Sequence, residues 1–209
     1  MIFNGFTSTD FATFTVDGLE ARMKVIQERI QPKFKLLGNA LCSEVSLLTG
    51  SEMHLHIARH LRRKTNAPVD TWLAICHSKR GYKMHPHFQV GLFDDHVFIW
   101  LALIYELPDK VMIAENYLKH LNKVKKLIPK DYVLSQDHMK KTAVTVSDLN
   151  KDQFCQVLTR FRDVKQAELL MGRKVMATDP LLENGDEFIA FVKSTIETLT
   201  PLYCMARQA

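Results

Sequence analysis

Between residues 71 and 105 the chain leaves the helical spacing of its first third for three short runs rich in β-branched and aromatic residues, 71–77, 86–93 and 96–105. Lys79, Arg80 and Gly81 supply a turn between the first two runs, and Asp94 and Asp95 a turn between the second and third. Three such runs predict a β-meander, and the second turn sets its register. A two-residue turn pairs Phe93 with His96, a four-residue loop pairs Leu92 with Val97, and both give one alignment. One face then sets Phe88, Val90 and Leu92 against Leu101, Ile99 and Val97, which is core. The other sets His87 against Ala102, Gln89 against Trp100 and Gly91 against Phe98. That mixed face has two readings. Either a helix packs over it, with His87 and Gln89 bonded to its backbone, or it floors a ligand pocket backed by Trp100, in the volume that Gly91 leaves.

Helical spacing brackets the meander. Leu19, Met23, Ile26 and Ile30 form one apolar stripe, and Phe34, Leu37, Leu41, Val45 and Leu48 another. Pro32 separates or kinks the two, and Gly50 ends the second. Ser8 or Thr9 is placed to start a short helix over 10–14. Ile113, Tyr117, Leu121, Val124 and Ile128 predict one helix ended by Pro129, and 131–135 and 142–146 two further strands. Ser147 caps a helix carrying Phe154, Val157, Leu158 and Phe161, and 168–175 reads as a strand broken at Gly172. Phe188, Val192, Ile196 and Leu199 mark a last helix. The expected fold is therefore α+β, a mostly antiparallel sheet built on a central β-meander and flanked by helices from both termini. No linker or repeat divides the chain. Its 209 residues, 46% of them hydrophobic, are expected to form a single α+β domain over 1–209.

The longest apolar run, 97–105, has nine residues, about half of a membrane span. Thr7, Ser8, Thr9 and Asp10 interrupt any hydrophobic start, so no signal peptide is read. Cys42, Cys76, Cys155 and Cys204 show no CxxC spacing. These features predict a cytoplasmic protein with free thiols and no membrane partner.

Charge is concentrated in one segment. Residues 59–87 hold seven cations (Arg59, Arg62, Arg63, Lys64, Lys79, Arg80 and Lys83) and one acid, Asp70, while the whole chain carries +5. The remainder is close to neutral, so the basicity marks a local anion-facing surface. An Arg fork can bind phosphate or carboxylate through two hydrogen bonds, and Gly81 permits the positive φ of a tight turn whose amides add to such a site. The competing reading is a solvated hairpin tip beside an unrelated basic segment.

Six of nine histidines, His54, His56, His60, His77, His85 and His87, fall in the same region. His85 and His87 share a face if extended, and His56 and His60 lie one helical turn apart, both chelating spacings. No carboxylate stands at a ligand spacing and the cations oppose a dication, so no metal site is assigned. Asp94 and Asp95 read as turn residues, and Cys76 as core. There is no GxSxG, GxGxxG or Walker sequence, so no catalytic motif is legible.

With DFATFTVDGLEARM at 10–23, TGSEMHLHIARHLRR at 49–63 and DTWLAICHSKRGYKMHPHFQVGLF at 70–93, the chain resembles the YktB-like family of Gram-positive bacterial proteins. The resemblance continues through DHM at 137–139, MGRKV at 171–175 and FIAF at 188–191. It implies a single-domain α+β protein of the bacterial cytoplasm, and implies no activity. A fold-level resemblance is also present, because biotin ligases and class II aminoacyl-tRNA synthetases hold a nucleotide phosphate on a strand, basic loop and antiparallel strand.

Three functions follow as expectations. The first is a protein binding a phosphate- or carboxylate-bearing ligand, such as a nucleotide, or else nucleic acid. It would use Arg59, Arg62, Arg63, Lys79, Arg80 and Lys83, with His87, Gln89 and Trp100 at the pocket floor. The second is an adenylate-forming or acyl-transferring enzyme using Lys79 and Arg80 on the phosphates. The third is an interaction protein whose basic face meets an acidic partner. The sequence names no cofactor.

Overall fold

The computed structural model describes residues 2–209, and its centre is the meander. Strands β2 (Thr71–Cys76), β3 (His87–Leu92) and β4 (His96–Leu103) pair antiparallel, with His87 opposite Ala102, Gln89 opposite Trp100 and Gly91 opposite Phe98. The Phe93 N–H donates to His96 O at 2.9 Å, closing the turn over Asp94 and Asp95. The fold is α+β. A strand absent from the sequence reading, β1 (His54–Ile57), adds to β2, and β5 (Val133–Ser135), β6 (Val144–Thr145) and β7 (Leu169–Met176) complete a seven-stranded antiparallel sheet. Its order is β1-β2-β3-β4-β7-β5-β6, so β7 inserts between the meander and the β5–β6 hairpin. Gly172 does not break β7. It pairs with Trp100 on one side and Val133 on the other.

Helices α1 (Ser8–Phe11), α2 (Leu19–Val25), α3 (Gln31–Thr49), α4 (Lys110–Lys119), α5 (Leu121–Leu127), α6 (Lys151–Asp163) and α7 (Gly185–Arg207) complete the fold. Pro32 neither breaks nor sharply separates the early helices. A π turn over Ile26–Ile30 joins them, with the Gln31 N–H reaching back five residues to Ile26 O. Gly50 closes α3 at φ 65°, as its position predicts. The single helix expected over 113–128 is two, because His120 leaves helical geometry. The cap of α6 is Asn150 and not Ser147. Asn150 Oδ1 accepts from the Gln153 N–H and Gln153 Oε1 from the Asn150 N–H, both at 2.9 Å, whereas Ser147 lies in a preceding 3-10 turn.

The helices bury one face of the sheet. Phe34, Leu37 and Leu41 of α3 and Phe188, Val192 and Ile196 of α7 join Leu73, Phe88, Val90, Ile99, Leu101 and Met171 in the main core. The opposite face carries a smaller cluster of Trp72, Ala74, Phe98, Trp100, Ala102 and Leu170, onto which Tyr82 packs. Among the described residues no helical side chain joins this cluster, contrary to one of the two expectations. Loops do, and that difference creates the site. Gly91 leaves no open volume either, since a Cβ there would lie 2.3 Å from Phe98 Cζ and 2.6 Å from Thr71 O. All four cysteines are free, and among the described residues no helix is long and apolar enough to cross a membrane.

Candidate functional site

Three loops converge over Trp72: 58–70 after β1, 77–86 between β2 and β3, and 136–143 after β5. They enclose two adjoining recesses. The first, of about 790 Å³, has an aromatic and apolar wall of Trp72, Tyr82, Tyr105 and Met139 beneath Arg59, Arg62, Arg63 and Lys83. Asp137, His138 and Glu168 line its inner side. The second, of about 920 Å³, is bordered by His56, Lys79, Arg80, Met84 and Glu106. Arg59, Tyr82 and Lys83 belong to both.

The wall is locked by short polar contacts. Trp72 Nε1–H donates to the Tyr82 hydroxyl at 3.0 Å, and burial pushes the Tyr82 phenol up to about 12. His60 takes the left-handed conformation at φ 52°, which carries its ring edge-on to Trp72 with its Nε2 3.1 Å from Thr71 Oγ1. Burial, with Arg63 adding repulsion, lowers His60 to about 4, so its ring is neutral. His138 behaves oppositely. Burial pulls it down, but the hydrogen bond and charge of Glu168, with Asp70 and Asp137 behind them, outweigh burial and hold it above the ordinary imidazole range. Glu168 accepts from the His138 amide at 2.7 Å and from its Nδ1 at 2.8 Å.

The two basic segments meet at this wall. Glu106 Oε1 lies 3.3 Å from Lys83 Nζ and 3.6 Å from Arg62 Nη2, tying the 77–86 loop to the 58–70 loop. The Arg62 side chain remains 81% exposed, so its pair contributes well under about 1 kcal/mol and leaves the guanidinium available. Lys79 and Arg80 face only the second recess. Gly81 does not take the positive φ expected of it; the left-handed residue of the region is His60.

His87, Gln89 and Trp100 lie beneath the recesses and not on their walls. His87 Nδ1–H donates to His85 O at 2.7 Å, and its Nε2 accepts from Gln89 Nε2 at 2.8 Å, so both imidazole nitrogens are used internally. Complete burial lowers His87 to about 3. The chelating pairs read from spacing do not assemble, because His56 is in β1 with Nε2 2.8 Å from Ser78 O and His85 packs edge-on against His77.

Asp137, His138 and Glu168 escaped the sequence reading as site residues. The register that pairs Ser135 with Leu170 shifts by one residue at its end, where the Glu168 N–H donates to Gln136 O at 3.1 Å, and the Asp137–His138 segment that follows lies beside Glu168. DHM at 137–139, an acid and a histidine at the end of a strand, was the signal available.

Asp70 is the most exceptional group nearby. It is fully buried and neither carboxylate oxygen has a hydrogen-bond partner. Burial raises it to about 6, against the pull of His138 and Arg63. The unfolded chain gives its proton up near pH 3.9. The folded chain therefore retains a proton that the unfolded chain has lost, and stability falls as pH rises from about 4 through 6. The loss by pH 8 is about 3 kcal/mol on this account. Urea unfolding of Asp70→Asn in EDTA should show a variant more stable than the parent at pH 8 and similar to it at pH 4.5. A parent that gains stability on Asp70 ionisation would show a hidden partner instead.

The family described as a domain of unknown function, DUF1054, matches residues 6–203. A UPF0637 protein of Oceanobacillus iheyensis is 56% identical over 203 residues, covering 97% of both chains. One from Shouchella clausii is 53% identical over 205 residues, covering 98% of this chain and 96% of its own. One from Listeria welshimeri is 48% identical over 208 residues and the full length of both.

Proposed function

We propose, for a chain that belongs to the DUF1054 family of Gram-positive bacterial proteins and inherits no activity from it, that the aromatic recess binds a small molecule with a phosphate or carboxylate head and an apolar or planar body. One observation carries this reading: Arg59, Arg62, Arg63 and Lys83 border a recess whose wall is Trp72, Tyr82 and Tyr105. Arginine forks recognise the head, and the rings supply stacking area for the body. Lys79 and Arg80, in the adjoining recess, extend the positive field to a second anionic group, as in a nucleotide or coenzyme. His87, Gln89 and Trp100 act from below, by holding the sheet face on which Trp72 and Tyr82 stand.

The test is a thermal-shift screen of nucleotides, coenzyme A derivatives and sulfate at low and high salt, with Arg62→Ala and Arg80→Ala alongside. A ligand at about 100 times its Kd adds about 2.7 kcal/mol, or several degrees of Tm for a chain of this size. The shift should shrink at high salt and disappear in Arg62→Ala. It should persist, weakened, in Arg80→Ala. If no anion raises Tm the reading fails, and an acidic protein partner for the same rim takes its place. A duplex DNA footprint that survives high salt would also overturn it.

A further inference from the structure

We propose that Asp137, His138 and Glu168 bind a divalent first-row transition-metal ion on the inner side of the aromatic recess. Each residue offers one donor atom, and the three atoms lie within 4.8 Å of one another. Bound to one ion at about 2.1 Å each, such donors stand about 3 to 3.5 Å apart, so the three must draw closer together on binding. Glu168 immediately precedes β7, and its carboxylate accepts from the His138 amide at 2.7 Å and from the imidazole Nδ1 at 2.8 Å, which ties the loop after β5 to it.

A second observation points the same way. Asp70, two residues before the wall residue Trp72, is fully buried with both carboxylate oxygens unpartnered. Glu168 is buried too, and among the described residues its ion pair is with His138 and not with any Lys or Arg. Lys110, just below the site, spends its ammonium elsewhere, donating from Nζ to Val164 O, Lys165 O and Ala167 O. A bound cation supplies the positive charge that, among the described residues, no Lys or Arg brings to Glu168. An imidazole nitrogen with carboxylate oxygens suits manganese, iron or zinc and disfavours magnesium and calcium, which take oxygen alone. The metal stands on its own donors and not on the anionic ligand proposed above.

The experiment uses the full chain, stripped with EDTA and dialysed, then titrated calorimetrically with MnCl₂ and ZnCl₂, with MgCl₂ as comparison. Bound metal is counted after gel filtration, and circular dichroism confirms folding of each variant. The expected result is one manganese or zinc ion per chain, at least tenfold tighter than magnesium. Affinity should fall at least tenfold in His138→Ala and in Asp137→Asn. The Asp137 side chain is 40% exposed, so that variant keeps the fold even if removal of His138 does not. No stoichiometric ion in the parent would overturn the proposal. So would unchanged affinity in folded Asp137→Asn, which would move any bound zinc to the His77 and His85 pair.

Discussion

Gly172→Ala is expected to abolish the native fold. Gly172 lies inside β7, with β4 paired on one side and β5 on the other, so its backbone has no free edge toward which to move. An added Cβ would sit 1.9 Å from Ile99 O and 3.1 Å from Trp100 Cε3. Ordinary overpacking costs about 1–3 kcal/mol because side chains yield. Here the obstacle is a strand carbonyl, and shifting it breaks the ladder that joins the meander to the β5–β6 hairpin. A loss above about 4 kcal/mol is expected, enough to unfold a domain at the lower end of the usual range of about 5–15 kcal/mol. Far-ultraviolet circular dichroism and a urea titration measure it, and an alanine variant with the parental midpoint would refute this reading.

Lys110→Met is expected to cost about 2–4 kcal/mol and to loosen the candidate metal centre. Lys110 is the first residue of α4, yet its ammonium is buried and donates to Val164 O at 2.7 Å, Lys165 O at 3.1 Å and Ala167 O at 2.6 Å. All three proton donors are used on one turn, the segment that leads from α6 into Glu168. Methionine keeps the length but loses the ammonium that sits 5.2 Å from the Phe161 ring centroid and leaves those carbonyls without a donor. Carbonyls nearer the surface recover water, which is why the cost stays below that of three buried bonds. The urea midpoint should fall, and manganese affinity should fall with it. A drop in stability with unchanged metal affinity would confine Lys110 to the fold.

The meander was legible because its register follows from one turn and a period of two, and the pairs from His87–Ala102 to Leu92–Val97 stand as the arithmetic requires. Helix interiors followed from apolar spacing. The end of α3 followed from Gly50, but the start of α6 did not, because Ser147 and Asn150 are both competent caps and only Asn150 has Gln153 three residues on. β1 was missed because HLHI alternates too briefly to outweigh the helical spacing of His56 and His60. Of the candidate residues, the structure brings Arg59, Arg62, Arg63 and Lys83 together at one recess. It sets Lys79 and Arg80 in the next one, and His87, Gln89 and Trp100 beneath both. The carboxylate side of the site stayed hidden for a topological reason. Glu168 meets His138 only because β7 enters between β4 and β5, a pairing of strands separated by all of α6. No local pattern encodes that insertion.

That late insertion also bears on how the chain must be made. Until β7 is synthesised, the outer edge of β4 has no partner, and that strand, VFIWLAL at 97–103, is buried on both faces in the finished sheet. Ribosomes add about 5–20 residues per second. The 66 residues from Leu103 to Leu169 therefore leave a sticky edge waiting for about 3–13 s during vectorial synthesis. A nascent chain stalled before residue 169, or a fragment cut there, presents an apolar strand edge to its neighbours, the usual starting point for intermolecular sheet growth. The β5–β6 hairpin cannot shield that edge, since it docks only onto β7.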